Sequence, residues 1–342
     1  MTLRSARILL AKRPVGLPTE DIYAFDEVDV PSVGEGRALV RNLYLALDPA
    51  IRGWMNESKG SYMPPIGVGE PVRSGNVSQV VESRIPGIEP GQIYQTLAAW
   101  EQFSVLDARS FHGRVETEPG VPVRSAVHLF GGSGLTAYFG LFDVGRPKAG
   151  ETVVVSAASG SVGSLVGQMA KNAGARAVGI TGGKDKARWL VDELGFDAAI
   201  DHRSEDLRVA LKAACPKGVD VYFDSVGGEI LDTVLGRINV GARVALCGAI
   251  ASINATAPVP GPRNYVHLIA KRGCMQGFVT IDYMQRYPEA RSAIATWVRE
   301  GKLRYHEDVT KGLSNAPRSF LRLFDGTHRG KLMIELSEPE GM

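Results

Sequence analysis

The chain is poor in cysteine and has almost no excess of charge of either sign. Its 342 residues include 3 cysteines, and the formal net charge is +2 at pH 7. Three widely spaced cysteines without a C-x-x-C pair do not make a disulfide framework and are typical of a reducing compartment. We therefore expect Cys215, Cys247 and Cys274 to pack as small apolar residues.

Two classes of partner are not expected from this composition. Lysine and arginine are scattered along the sequence, so a concentrated basic surface for nucleic acid is not predicted. The segment 1–30 mixes charged residues with short apolar runs, so neither the apolar part of a secretory signal nor a membrane-spanning helix is evident there. The sequence predicts a cytoplasmic protein with no nucleic-acid and no membrane partner.

Residues suited to a catalytic metal are also scarce. A zinc-dependent dehydrogenase needs three ligands from Cys, His, Asp or Glu. The chain up to Leu129 contains no cysteine, and its histidines there, His112 and His128, lie outside the segment 47–70 that we expect to line a cleft. We therefore expect no bound metal.

The chain is long and rich in glycine. A chain of this length exceeds the usual size of a single hydrophobic core, so two domains are expected. Residues 1–125 alternate short apolar runs with Pro and Gly, which predicts a β-rich domain. Residues 126–304 alternate strand-like and helical stretches, which predicts a parallel sheet built from βαβ units. Residues 305–342 end in the strand-like KLMIEL, which we expect to rejoin the first domain.

Six strand-like runs in the second domain predict a doubly wound sheet of the α/β class. These runs span residues 152–157, 175–180, 197–201, 219–226, 242–248 and 274–280. The stretches with helical periodicity span residues 164–172, 184–194, 205–214, 229–237 and 290–300.

The run TVVVSAASGSVGSLVGQMAKNAG, which begins at Thr152, is the most informative segment. A buried β-branched strand leads into a turn of small residues and then an amphipathic helix. Gly160 allows the backbone to approach a pyrophosphate, and Gly163 allows the helix to lie close to the strand. Ala157 stands where the common fingerprint has its first glycine. The context predicts dinucleotide binding, and a structural glycine turn is the alternative.

The end of the second strand indicates which dinucleotide is bound. NAD-dependent enzymes usually place an acid there to bind the ribose 2′-hydroxyl. In this chain residues 181–183 include no acid, and Lys184, Lys186 and Arg188 follow. These cations favour a 2′-phosphate and therefore NADPH, although a solvated helix start explains them too and Asp185 reduces the local charge.

Longer motifs add a family resemblance over nearly the whole chain. They are LYLALDPAIRG, GLTAYFGLFDVGRPKAGETVVVSAASGSVGS, VYFDSVGG, CGAI, GPRN, MQGF and NAPRSFLRLFDG. With them the chain resembles the zinc-independent medium-chain dehydrogenase/reductases of the prostaglandin reductase, leukotriene B4 12-hydroxydehydrogenase and curcumin reductase group. The resemblance implies a Rossmann domain plus a β-rich GroES-like catalytic domain, in a homodimer. It also implies NADPH-dependent reduction, without a metal, of the double bond in a hydrophobic α,β-unsaturated ketone or aldehyde.

The resemblance also implies a set of cofactor-binding residues. Residues 160–163 would hold the pyrophosphate and Lys186 the 2′-phosphate, while residues 247–253 would lie beside the nicotinamide ribose and residues 278–280 at the carboxamide. The implied set is Gly160, Ser161, Val162, Gly163, Lys186, His202, Ser225, Cys247, Gly248, Ala249, Ile250, Ile253, Phe278, Val279, Thr280 and His328.

Several matched positions depart from the family pattern. His202 stands where many relatives have a tyrosine, and Ser225 and His328 each replace an asparagine but can still form hydrogen bonds. Ile253 replaces a tyrosine that is commonly assigned a hydrogen bond to the substrate carbonyl. Ala50 replaces another tyrosine, which should leave the cleft wider and more apolar.

Tyr62, in SYMPP, matches a tyrosine that curcumin reductases place over the substrate. A phenol with a pKa of about 10 can donate to an enolate oxygen and relay a proton, so we expect Tyr62 to be the catalytic residue. Packing of an aromatic ring in a loop is the alternative, and the cofactor's ribose 2′-hydroxyl could share the task. The isoleucine at 253 keeps two other functions open: a quinone reductase, and an NADPH-binding protein with little catalysis.

Overall fold

The computed structural model describes residues 3–57, 60–116 and 120–340. They form two compact units. The first extends to Gly131 and resumes at Glu307, and the second comprises Gly132–His306. The strands are β1 (Arg4–Leu10), β2 (Tyr23–Asp29), β3 (Arg37–Ala46), β4 (Arg73–Ser83), β5 (Ile93–Ala99), β6 (Phe103–Asp107), β7 (Phe111–Arg114), β8 (Thr152–Val155), β9 (Arg176–Thr181), β10 (Ala198–Asp201), β11 (Val219–Asp224), β12 (Ile238–Leu246), β13 (Cys274–Gly277), β14 (Glu307–Lys311) and β15 (Lys331–Glu335). The α-helices are α1 (Ala50–Trp54), α2 (Ser125–His128), α3 (Gly132–Phe139), α4 (Gly163–Asn172), α5 (Lys184–Asp192), α6 (Leu207–Ala214), α7 (Gly228–Leu235), α8 (Val266–Lys271), α9 (Tyr287–Arg299) and α10 (Ala316–Asp325).

The first unit is β-rich, as the short apolar runs predict. Seven strands form a mixed sheet in which β14, β15, β3, β4, β5 and β7 follow one another and β6 also pairs with β3, while β1 and β2 form an antiparallel pair. Helix α10 buries Phe320 against Trp100, with ring centroids 5.8 Å apart. Helix α10 is not among the predicted helices, although Pro317 at its start and the left-handed Gly326 after its end are helix-boundary signals.

The second unit confirms the predicted doubly wound sheet. Its six strands run parallel in the order β10-β9-β8-β11-β12-β13. All four residues of β8 are buried, as expected for a central strand covered on both faces. The strand order reverses between β8 and β11, and such a switch point is where doubly wound sheets bind ligands, at the carboxyl ends of the strands.

Further details differ from the sequence-based expectation. Strand β12 begins at Ile238 rather than 242, and it includes the turn-like residues 239–241. Of the cysteines, Cys215 is buried and Cys247 is half-buried, but Cys274 is exposed because it lies on the edge strand β13. Within the described ranges, no helix combines the length and the apolar character that crossing a membrane requires.

Candidate active site

The turn between β8 and α4 has the geometry of a dinucleotide-binding loop. Ala157 takes a left-handed conformation with φ of 46°, which is the conformation that glycine adopts without cost. The amide of Gly160 donates to the carbonyl of Ala157 at 2.9 Å and so closes the turn. Ser161 and Val162 complete it before α4 begins at Gly163. The backbone therefore makes the fingerprint turn although its first glycine is replaced.

Gly163 is where the helix lies closest to the strand. A Cβ on Gly163 would lie 2.5 Å from the carbonyl oxygen of Ala157 and 2.8 Å from the Cα of Ala158, and neither backbone atom can rotate away. Glycine is thus required for α4 to start at this point. The first amides of a helix lack acceptors within the helix and are suited to an anion.

Asp224, at the carboxyl end of β11, organises the switch point. Its side chain is fully buried and accepts hydrogen bonds from the hydroxyls of Ser156 and Tyr222, both at 2.8 Å, and from the amides of Val226 and Gly227. Burial raises the pKa of Tyr222 well above its ordinary value, and the Asp224 carboxylate adds to the effect. The Tyr222 hydroxyl therefore stays protonated and donates.

The segment after β12 is held against the segment after β11. The amides of Cys247 and Gly248 donate to the carbonyl of Asp224 at 2.8 and 3.1 Å, and the amide of Ile250 donates to the carbonyl of Ser225 at 3.3 Å. Burial raises the pKa of the Cys247 thiol to about 12, so the thiol is not a nucleophile at neutral pH. The Ser225 hydroxyl is buried beside it without a well-formed hydrogen bond to the described residues. A bound polar ligand could supply that partner.

The loop continues through two more residues of the implied set. The Ala249 carbonyl accepts from the amide and the hydroxyl of Ser252, and the methyl of Ala249 lies beside Gly227. Ile253 is half-buried. Next to it the side-chain oxygen of Asn254 is buried and accepts no hydrogen bond from the residues that the structure covers.

The end of β9 meets the dinucleotide turn and the end of β10. The hydroxyls of Ser159 and Thr181 lie 2.7 Å apart, and the amide of His202 donates to the carbonyl of Thr181 at 3.0 Å. Lys186 lies in the first turn of α5, where its amide donates to the carbonyl of Gly183. Burial, together with a neighbouring positive charge, lowers the pKa of His202. The structure thus brings Lys186 and His202 to the same end of the sheet.

The residues after β13 are held by packing of an aromatic side chain. A Cβ on Gly140 would lie 2.3 Å from Phe278 and 2.6 Å from Phe223, so the two rings fill the space that glycine leaves. Val279 and Thr280 follow Phe278, and a short 3-10 helix starts at Thr280. Phe278 is therefore anchored by packing at the start of the segment that contains Val279 and Thr280.

Two residues of the predicted site belong to the first unit. Tyr62 is 52% exposed, and its ring stands edge-on to Trp54 with centroids 6.5 Å apart. The Nδ1 atom of His328 lies 2.9 Å from the carbonyl of Arg322. Since a carbonyl only accepts, this nitrogen carries the proton.

Sequence reasoning missed two carboxylates that order the site, Asp224 and Asp201. Each is the last residue of a parallel strand, and each binds amides of the residues that follow a strand. An acid ending an apolar run, as in VYFD and AAID, is the signal that could have identified them. No group of three or more His, Cys, Asp or Glu residues suited to a metal is found among the residues that the structure describes.

Comparison with known proteins gives a consistent result. Residues 6–113 match the family model described as the N-terminal domain of oxidoreductase, and residues 161–296 match the model described as zinc-binding dehydrogenase. The NADPH-dependent curcumin reductase of Escherichia coli is 40% identical over 98% of this chain and 97% of that protein. The NADP(+)-dependent 2-alkenal reductase of Nicotiana tabacum is 37% identical over 97% of each chain. The crystal structure of CurA from Vibrio vulnificus in complex with NADPH superposes with a TM-score of 0.91, at 39% identity, over 98% of this chain and 100% of that one.

Proposed function

The chain belongs to the zinc-independent medium-chain dehydrogenase/reductases, and we propose that it is an NADPH-dependent reductase of the carbon-carbon double bond in α,β-unsaturated ketones and aldehydes. The observation that carries the proposal is the turn after β8, in which Ala157 keeps the left-handed conformation and Gly163 the close helix approach. Relatives named for curcumin and 2-alkenal reduction support the substrate class.

The second unit offers what this cofactor needs. Residues 160–163 would hold the pyrophosphate, Lys186 and His202 the adenosine end, and Ser225 with residues 247–250 the nicotinamide ribose. The buried Ser225 hydroxyl, which lacks a well-formed hydrogen bond within the described chain, fits a polar ligand there. When bound, NADPH supplies a hydride, which in this reaction goes to the β-carbon of the substrate.

Tyr62 is the proposed catalytic residue. Hydride addition to the β-carbon leaves negative charge on the carbonyl oxygen, and a phenol can stabilise that enolate by donating a hydrogen bond. The α-carbon then takes a proton that reaches it from water through the same hydroxyl. Tyr62 is 52% exposed and its ring packs edge-on against Trp54, which supports the side chain in this role. His328, Ile253 and residues 278–280 are proposed to line the cofactor or the substrate.

A substrate panel tests the function. NADPH absorbance should fall when an enone or enal is added and should stay constant with saturated alcohols. Turnover of quinones alone would assign the protein to the quinone reductases, and tight NADPH binding without any turnover would indicate a binding protein.

A second experiment tests the catalytic residue. Tyr62→Phe should lower kcat by about a hundredfold, because it removes the hydrogen-bond donor while keeping the ring. Tyr94→Phe is the matched control, since it removes a hydroxyl that donates to Gln92 elsewhere in the first unit. Equal kcat values for the Tyr62→Phe variant and the wild type would remove Tyr62 from the mechanism.

We also propose a homodimer that forms along β13. This strand is at the edge of the parallel sheet, and the neighbouring helix α8 exposes 78% of Ile269 and 50% of Val266. Apolar side chains beside an open strand edge favour pairing with a second copy. Ile269→Asp should shift the mass measured by light scattering to that of a monomer. Val209→Asp, at another exposed valine, should not.

A cytoplasmic location completes the proposal. Cys215, Cys247 and Cys274 are all free thiols, as expected for a reducing compartment. Fractionation of cells that express the protein tests this location.

A further inference from the structure

An arginine lies directly over a glycine at the end of β9. If Gly182 carried a Cβ, that atom would lie 2.8 Å from Nε of Arg203 and 3.3 Å from its guanidinium carbon. The Arg203 side chain therefore occupies the space that a Cβ on Gly182 would need. Gly182 lies between the end of β9 and the start of α5, and Arg203 follows the end of the neighbouring strand β10.

Asp201 fixes the backbone of Arg203 and of Gly183, the residue after Gly182. One of its carboxylate oxygens accepts from the amide of Gly183 at 2.6 Å and from the amide of Arg203 at 3.1 Å, and the other accepts from the hydroxyl of Ser204 at 2.6 Å. Burial alone would raise the pKa of Asp201, but these hydrogen bonds lower it more, so the net shift is downward. Asp201 remains a carboxylate whose acceptors are occupied by local donors.

The other charges around this point leave it suited to an anion. Lys184 and Lys186 lie in the first turn of α5. Asp185, the acid between them, forms an ion pair with Arg188. The Glu205 carboxylate accepts a hydrogen bond from the amide of Asp201 at 2.7 Å. The cations thus follow two neighbouring strand ends, and Asp185, Asp201 and Glu205 each accept from a local donor.

We propose that the Arg203 guanidinium binds the 2′-phosphate of the cofactor, and that Gly182 is required because any side chain there would displace it. This inference rests on the proposed use of NADPH. The end of the second strand of a doubly wound sheet is where the ribose 2′-position is recognised. A planar guanidinium matches phosphate with two parallel hydrogen bonds, which a lysine ammonium cannot do. Arg203 therefore makes the chain selective for NADPH over NADH.

The first test compares the two cofactors. Arg203→Ala should raise the Kd of NADPH by about tenfold to a hundredfold, the usual loss for one charge-assisted contact. The Kd of NADH should stay within about twofold, because NADH has no 2′-phosphate. Arg208→Ala removes the same charge from an exposed position on α6 and should change neither value. Unchanged NADPH binding, or equal losses for both cofactors, would overturn the assignment.

A second variant tests the role of Gly182 without removing charge. Gly182→Ala pushes only a flexible side chain aside, so the fold should be preserved while NADPH affinity falls. If both substitutions act through the guanidinium, the double variant should bind NADPH no more weakly than Arg203→Ala alone. Additive losses would contradict this.

The binding tests are independent of catalysis. If the wild type prefers NADPH through Arg203 but reduces no enone, the proposed reaction fails and the assignment of Arg203 stands. If enones are reduced and the Kd values of NADPH and NADH respond alike to Arg203→Ala, the proposed reaction stands and the assignment of Arg203 fails.

Discussion

Replacing Gly163 with alanine tests the geometry on which the cofactor site depends. The added Cβ would meet three backbone atoms, at 2.5 Å from the oxygen and 3.0 Å from the carbon of the Ala157 carbonyl group and 2.8 Å from the Cα of Ala158. To restore ordinary contact the helix and the turn must separate by about 1 Å, which a close-packed interior resists. Overpacking of this kind costs about 1 to 3 kcal/mol.

The variant should therefore be less stable and should bind NADPH poorly. At roughly 2 to 4 °C per kcal/mol for a unit of this size, the Tm should fall by about 2 to 12 °C. Thermal unfolding followed by circular dichroism gives the Tm, and fluorescence titration gives the Kd of NADPH. Gly132→Ala is the matched control, because no atom lies within 4 Å of its added Cβ. A Gly163→Ala protein with the Tm and NADPH affinity of the wild type would refute the reasoning.

Two further predictions concern the same unit, and a third concerns the independence of the reaction from metal. Ala157→Gly should leave the free energy of unfolding unchanged or raise it by up to about 1 kcal/mol, because glycine relieves the left-handed strain but is freer in the unfolded chain. Ala157→Val should lower the free energy of unfolding. Denaturant titration of both variants measures these changes. Burial would raise the pKa of Asp201, but its hydrogen bonds hold the folded-state pKa below the ordinary value of an aspartate. The stabilisation is therefore fully present above that ordinary value and is lost as the pH falls through the folded pKa. The stability difference between the wild type and Asp201→Asn should shrink over that acid range, and a difference independent of pH would contradict it. Incubation with EDTA should leave enone reduction unchanged, and a loss of activity that added zinc restores would contradict that expectation.

Local sequence patterns predict most of the second unit because each of its strands, turns and helices is formed by one continuous segment of the sequence. Short β-branched runs such as 152–155 are buried strands, and small residues between a strand and a helix mark the turn at 156–162. Helix α3 (Gly132–Phe139) is not predicted because its first three residues are Gly-Ser-Gly and it is apolar on most faces, so no helical periodicity is evident. Helix α10 (Ala316–Asp325) was missed although its apolar residues lie on one face.

Those parts of the site that a single continuous segment forms can be predicted from the sequence, and the other parts cannot. The turn at 156–163 is such a segment. Contacts between strand ends depend on pairings that no local pattern contains: Ser156 and Asp224 are 68 residues apart along the chain. Arg203 reaches Gly182 for the same reason, because β9 and β10 are neighbours in the sheet. Such contacts follow from the strand order, which places distant residues at one edge.

The central claim is that hydride moves from NADPH to the β-carbon of a conjugated carbonyl compound. The most direct test uses NADPH that carries deuterium at both C4 positions of the nicotinamide, with 4-phenylbut-3-en-2-one as the substrate and mass spectrometry and NMR of the product. We expect the saturated ketone with one deuterium on the β-carbon and a solvent proton on the α-carbon. Deuterium on the carbinol carbon of an allylic alcohol, or no transfer of deuterium at all, would contradict the account.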